Sequence, residues 1–181
     1  MAAEVMAQAG ARFGQLDRIG VTVGPGSFTG LRVGLAFAKA MSLALDIPCI
    51  GVGTLEALAA GESGFVVSAI DAKRDQIYMQ VFQDGAALMA PYGVDLGTAA
   101  ARLTELWPGG AATIVGTGAP LLEGVVAGAR VDSRDFPDIV AVGRLIQQRP
   151  ALRTRPQPLY LRAPDAKTIA ERAQAKADAQ A

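Results

Sequence analysis

Three stretches of the 181-residue chain carry residue types whose spacing suits chemistry. The first is Gly24-Pro25-Gly26-Ser27, with Thr29 and Arg32 just beyond it. Its glycines reach backbone angles closed to other residues, Pro25 stiffens the bend, and Ser27 or Thr29 suits the cap of a following helix. Free N–H groups at a helix start attract anions. The second is the charged run Asp71, Lys73, Arg74 and Asp75, where Asp71 suits a metal and Arg74 a nucleotide or partner across a cleft. The third, Gly116-Thr117-Gly118, repeats the placement of the first between an apolar run and a helical pattern. Each also reads as plain architecture, a tight strand-to-helix connection or a solvated turn with local ion pairs. The residues alone leave both readings open.

Several chemistries are excluded outright. Leu31 and Arg32 follow Gly30 where a phosphate-binding P-loop needs Lys and Ser or Thr, and the overlap with a dinucleotide fingerprint is loose. The chain has no histidine, which removes Ser-His-Asp and Cys-His nucleophiles, histidine-bearing zinc sites and imidazole proton shuttles. Asp132, Asp135 and Asp138 fall in a loop and at a helix start, where acids serve architecture. The single cysteine, Cys49, has no intrachain partner and reads as a buried thiol in a reducing compartment. No catalytic residue and no metal ligand set is assigned.

The elements that must position these residues begin with a strand over Ile19 to Val23, a helix over Thr29 to Leu45 and a strand over Pro48 to Val52. A connection of that length favours a parallel βαβ unit, with the glycine turn at the carboxyl end of its first strand. Along the helix, Gly30, Gly34, Ala38 and Ser42 form a nearly bare ridge, Val33, Phe37, Met41 and Leu45 an apolar face, and Leu31 and Leu35 a third. An apolar circumference implies burial on all sides. A chain this short seldom surrounds a helix, so one face is expected to meet a partner. Val5 and Met6, on a short helix over Ala2 to Ala9, add to that surface.

Further along, a helix opens at Thr54 and stops at Gly61, and the turn-rich 61–64 stretch marks a boundary. The pattern then predicts strands at Phe65–Ile70, Gln76–Gln83 and Ala87–Tyr92, and a helix at Thr98–Leu106. A strand at Ala112–Val115, a helix at Pro120–Ala127, a strand at Arg130–Asp132 and a helix at Asp138–Gln148 complete it. This gives a first subdomain over 1–61 (αβαβα), a second over 64–149 (βββαβαβα) and a tail over 150–181. The tail opens with an extended proline-containing segment that includes Leu159-Tyr160-Leu161 and ends in a helix-prone, alanine-rich stretch.

Composition is that of a globular chain, 51% hydrophobic and 19% charged, with 17 bases balancing 17 acids. No global field for nucleic acid is implied. The start MAAEVMAQAG lacks a basic region followed by an apolar core, and no span-length window is free of charge. A cytoplasmic protein without a membrane anchor is expected.

The string GPGSFTGLRVGLAFAKAMSLALDIPCIGVGTLEALA resembles the signature region of the bacterial TsaB (YeaZ) family, and IDAKRDQIYMQVF and PLYLRAPDAK resemble its later segments. The likeness covers nearly the whole chain. It implies an α/β fold of the actin-like, ribonuclease-H-like (ASKHA) class, a tandem of two βββαβαβα units. Against that pattern the first unit lacks its three N-terminal strands, and a lost or misassigned start is expected. The resemblance further implies a non-catalytic subunit in threonylcarbamoylation of adenosine 37 in tRNAs reading codons that begin with A. Its partners would be a TsaD-like paralogue, whose metal-holding histidine pair this chain cannot match, a TsaE-like ATPase, and tRNA through the complex. The interface would fall on Val5, Met6, Gly30, Gly34, Phe37, Ala38, Met41 and Ser42, with a homodimer possible alone and ATP possible only in the assembled complex. The alternative from the enzyme class is a small ATP-dependent phosphotransferase of the same fold, using the cleft near Gly24, Gly26, Ser27, Thr29, Arg32, Asp71 and Arg74.

Overall fold

The structure, a computed structural model, describes residues 1–151 and 155–162. The helix-prone end of the tail lies outside the described residues.

The first sheet has two strands. β1 (Ile19–Thr22) and β2 (Cys49–Val52) pair in parallel, Ile19 opposite Cys49 and Thr22 opposite Val52. The long crossover is α2 (Phe28–Leu45), preceded in the chain by the short α1 (Ala2–Gln8). Gly20, Ile50 and Val52 point to one face of this sheet, where α5 (Ile139–Gln148) lies. A Cβ at Gly20 would fall 1.6 Å from Ile146 Cδ1, so only a bare backbone admits the helix there.

After β2, α3 (Thr54–Ala59) leads through Gly61 and Gly64, both at positive φ (89° and 74°), into a larger mixed sheet. Its strands are β3 (Phe65–Lys73), β4 (Gln76–Gln83), β5 (Ala86–Ala87), β6 (Tyr92–Asp95), β7 (Ala112–Val115) and β8 (Arg130–Asp132). They are ordered β5-β4-β3-β7-β8, with β6 also on β4. The β3–β4 hairpin is antiparallel, whereas β7 and β8 run parallel to β3. One face of the large sheet carries the main core, including Val67, Ile77, Met79, Ile114 and, from α4 (Leu96–Leu106), Leu103. The other receives Leu58 and Ala59 of α3 against Val66, Phe82 and Val115. Helix α5 follows the second sheet in the chain but packs on the first, its Val142 and Ile146 joining Ile50, Val52 and Ala57.

Four sequence expectations need correction. The expected strand at Ala87–Tyr92 is two short strands, because Pro91 has no N–H to give a ladder and pairing with β4 resumes only at Tyr92. The expected helix at Pro120–Ala127 is a single 3-10 turn, Ala119–Leu122; Gly124 and Gly128 sit at φ 80° and 70°, outside helical space. The strand expected to end at Ile70 continues to Lys73, leaving Arg74 and Asp75 as the hairpin tip. Both tip residues have positive φ (57°), the hand that a two-residue hairpin turn requires. Finally, α2 is not buried on all sides.

Candidate functional site

Helix α2 is started by Ser27, whose hydroxyl accepts the Gly30 N–H at 3.4 Å. It ends at Asp46 in the left-handed region (φ 51°). Only Leu31, Leu35 and Ala38 are buried, one stripe at helical spacing pressed toward β1. A two-stranded sheet covers one face of a helix and no more. The opposite face leaves Val33 64% exposed, Phe37 55% and Leu43 71%, and Val5 on α1 is 58% exposed. By length and mean hydropathy (1.3) α2 would pass for a membrane span. Its Arg32 and Lys39, and the packing of its inner stripe, are features of a surface helix of a folded domain.

The expected interface residues divide. Phe37 and Val5 lie on the exposed apolar surface, and Met6, Met41 and Gly34 are half-buried. Gly30 is exposed, and a Cβ at Gly34 would meet nothing within 4 Å, so this part of the bare ridge is open. Ala38 must be corrected: at 4% exposure it belongs to the inner stripe. The Ser42 hydroxyl is spent on the Ile47 carbonyl. Val33 and Leu43 carry more of the exposed surface than the ridge does. The signal that finds them is the narrowness of the sheet beneath.

The expected cleft residues are brought together less than supposed. Gly24 (φ 111°) and Pro25 are buried, joined by a cis peptide, and the Gly24 carbonyl accepts the Thr54 N–H at 2.8 Å. The segment around Leu159 lies over this turn, its N–H donating to the Val23 carbonyl at 2.7 Å. Gly26, Ser27 and Thr29 remain exposed. Arg32 stacks 3.7 Å above the Phe28 ring and donates from Nε to the Tyr160 hydroxyl at 3.1 Å. Asp71 accepts from the Lys73 side chain at 2.6 Å and the Lys73 N–H at 2.7 Å, and these bonds hold its carboxyl below the usual carboxylate range. Its own N–H donates to Thr117 Oγ1 at 3.1 Å. Arg74 sits at the hairpin tip. Gly116 and Gly118 are a packing device: a Cβ at Gly116 would lie 2.2 Å from the Ala69 carbonyl oxygen.

An ion-pair cluster escaped the sequence reading. Glu62, from the link between the sheets, pairs with Arg130 and, at 2.8 Å, with Arg134; Asp132 pairs with both arginines. The Arg134 hydrogen bond pulls the Asp132 carboxyl below its ordinary range, and Asp132 in turn raises Arg134. These charges are 72 residues apart at the widest, so no local spacing announces them. Burial raises the Cys49 thiol, with Lys39 opposing, which is the behaviour of an inert cysteine. Among the described residues no group of three or more His, Cys, Asp or Glu could hold a metal ion.

A family model described as TsaD, tRNA N6-adenosine threonylcarbamoyltransferase, matches residues 1–113. An uncharacterized protein of Mycobacterium leprae is 34% identical over 165 residues, covering 86% of this chain and 40% of that protein. The tRNA threonylcarbamoyladenosine biosynthesis protein TsaB of Bacillus subtilis is 42% identical over 71 residues, 38% of this chain and 31% of that protein. The chain thus spans well under half the length of these two relatives. A crystal structure from Pseudomonas aeruginosa, of an uncharacterized protein similar to the peptidase YeaZ, superimposes with a TM-score of 0.74 at 23% identity. It covers 90% of this chain and 81% of that one. The fold is therefore the actin-like one. With a family model that matches more than half of this chain, TsaB-named relatives and a YeaZ-type fold, the chain belongs to the TsaB (YeaZ) family, within the wider group that the TsaD model describes.

Proposed function

We propose that this chain is a non-catalytic scaffold subunit in the threonylcarbamoylation of adenosine 37 of tRNAs that read codons beginning with A. It docks onto a TsaD-like paralogue, and the pair recruits a TsaE-like ATPase; tRNA meets the assembly, not this subunit alone. The observation that carries the reading is the exposed apolar side of α2, where Val33, Phe37 and Leu43 are each more than half exposed, as is Val5 on α1. A soluble monomer seldom leaves such a patch to water. When the paralogue is absent, a second copy of the chain occupies the same surface. The cytoplasm is the compartment this reading requires, and ATP enters only with the assembled complex.

The phosphotransferase alternative has less behind it. Its glycine turn lies beneath Leu159, and its acid, Asp71, is committed to Lys73. Titration of the isolated full chain with ATP is expected to give no submillimolar binding.

The decisive substitution is Phe37→Glu, which places a charge on the exposed face and leaves the inner stripe alone. Affinity for the TsaD-like paralogue of the same cell should fall about 30-fold or more, as for an interface hot spot, with the melting temperature unchanged. Unaltered affinity would refute the docking surface.

A further inference from the structure

The segment Pro156–Arg162 has no regular secondary structure, yet it touches both halves of the molecule. It enters beside the carboxyl end of α2, where Arg155 shares a shallow pocket with Lys39, Ser42 and Cys49. It then lies on the face of the first sheet opposite α5: Ile50 and Val52 face α5, and a Cβ at Gly51, between them, would lie 2.9 Å from Pro156 Cβ. At the glycine turn, Leu159 donates its N–H to Val23, and its carbonyl oxygen would lie 2.8 Å from a Cβ on Gly24. Tyr160 meets Phe28 with ring centroids 5.6 Å apart and accepts from Arg32. The segment next reaches the large sheet, where the Leu161 carbonyl oxygen would lie 3.3 Å from a Cβ on Gly93, and Arg162 bonds the Gln76 side chain.

Three landing points thus lack side chains, two in the first unit and one in the second. Gly24 has its own backbone reason for being glycine, at φ 111°, whereas the backbones of Gly51 and Gly93 lie outside the left-handed region. At those two, the close approach of the segment is what a side chain would disturb, together with Val23 at Gly51 and Tyr78 at Gly93. The junction around α3 is different in kind, being made of close-packed apolar groups, Leu58 and Ala59 against Val66, Phe82 and Val115. Beside it, the link carries two glycines at positive φ.

We propose that Pro156–Arg162 is a latch: it spans from the Gly24–Gly51 landing on the first unit to the Gly93–Gln76 landing on the second, and holds the two at one mutual angle about the α3 junction. The latch is a conformational device and stands independently of the docking proposal. Because Phe28 and Arg32 belong to the first turns of α2, its state is felt at the foot of that helix.

The test uses the full chain with Cys49→Ala, Ala44→Cys and Ala101→Cys, spin-labelled at the two exposed positions, one on each unit. The latched chain should give one narrow label-to-label distance. Tyr160→Ala with Arg162→Ala, both surface changes, should broaden or shift that distance and raise hydrogen exchange at the Leu159 amide about fivefold or more, the scale of one lost hydrogen bond. Gly51→Ala, which pushes on Pro156 from beneath, should act in the same direction. An unchanged distance with a freed Leu159 amide would reduce the segment to a passive cover and overturn the latch. A Leu159 amide still fully protected in the double variant would overturn Tyr160 and Arg162 as its anchors.

Discussion

Asp132 shows how a single group ties the molecule to pH. Its folded carboxyl is held below the ordinary range, first by the Arg134 hydrogen bond and then by the charges of Arg134 and Arg130. A depressed acid contributes stability that is complete above its unfolded value and is lost as pH falls through the folded one. Its side chain is 26% exposed and that of Arg134 28%, so solvent screens the pair and the contribution is modest, about 1 kcal/mol. Asp132→Asn should therefore lower stability near neutrality by about that amount and flatten the acid limb below about pH 4 in urea titrations at several pH values. A variant with the parent's acid limb would locate the dependence elsewhere. Gly20 gives a steric counterpart. Gly20→Ala must displace Ile146 and should cost about 1–3 kcal/mol. Combined with Ile146→Ala the two losses should be less than additive, and strict additivity would deny the contact. The sequence made the caps legible, Ser27 for α2 and Asp138 for α5, where the acid accepts the Val140 N–H at 2.8 Å. It concealed the Glu62 cluster and the bareness of Gly20, since both depend on partners brought from far along the chain.

At the scale of elements, the parallel βαβ unit was legible because two apolar runs and an eighteen-residue helix allow few other pairings. The side of α2 that faces water was not. Periodicity reports which positions are apolar, and on α2 nearly all are; only the width of the sheet decides which three residues are covered. That distinction separates two substitutions on neighbouring positions. Phe37→Glu acts on the exposed face and should spare the fold, whereas Ala38→Trp forces a large ring into a site of 4% exposure. The second should destabilise the chain itself by about 3 kcal/mol, the upper end of ordinary overpacking costs. Thermal melts of both variants, run before any binding experiment, tell fold damage from interface damage; an Ala38→Trp chain as stable as the parent would return Ala38 to the surface. The helix expected at Pro120–Ala127 failed for a comparable reason. Its apolar residues have helical spacing, but the glycines that punctuate it turn left-handed to bring β8 beside β7.

For the whole molecule, the question is whether two sheets of unequal size fold as one. The first contributes two strands and a small apolar cluster, and two of the five buried members of that cluster, Val142 and Ile146, arrive on α5 after the second sheet is complete. The second has six strands and the larger core. A two-stranded sheet is marginal by itself, so the first unit borrows stability through α5 on one side and through α3 at the junction. Leu58, 2% exposed, is the residue through which α3 grips the large sheet. Leu58→Ala should cost about 2–5 kcal/mol, and the loss should fall unevenly. Trp107, the single tryptophan, packs against the large core and reports that unit alone, whereas far-ultraviolet circular dichroism reports both. In the parent chain the two signals should unfold together, as a cooperative two-state transition requires. In Leu58→Ala, circular dichroism should begin to fall at lower denaturant than Trp107 fluorescence, because the small sheet loses its grip while the large core persists. Coincident curves in the variant would mean that α5 and the Pro156–Arg162 segment suffice to couple the sheets, and that the α3 junction is a seam and not the hinge on which the molecule's unity depends.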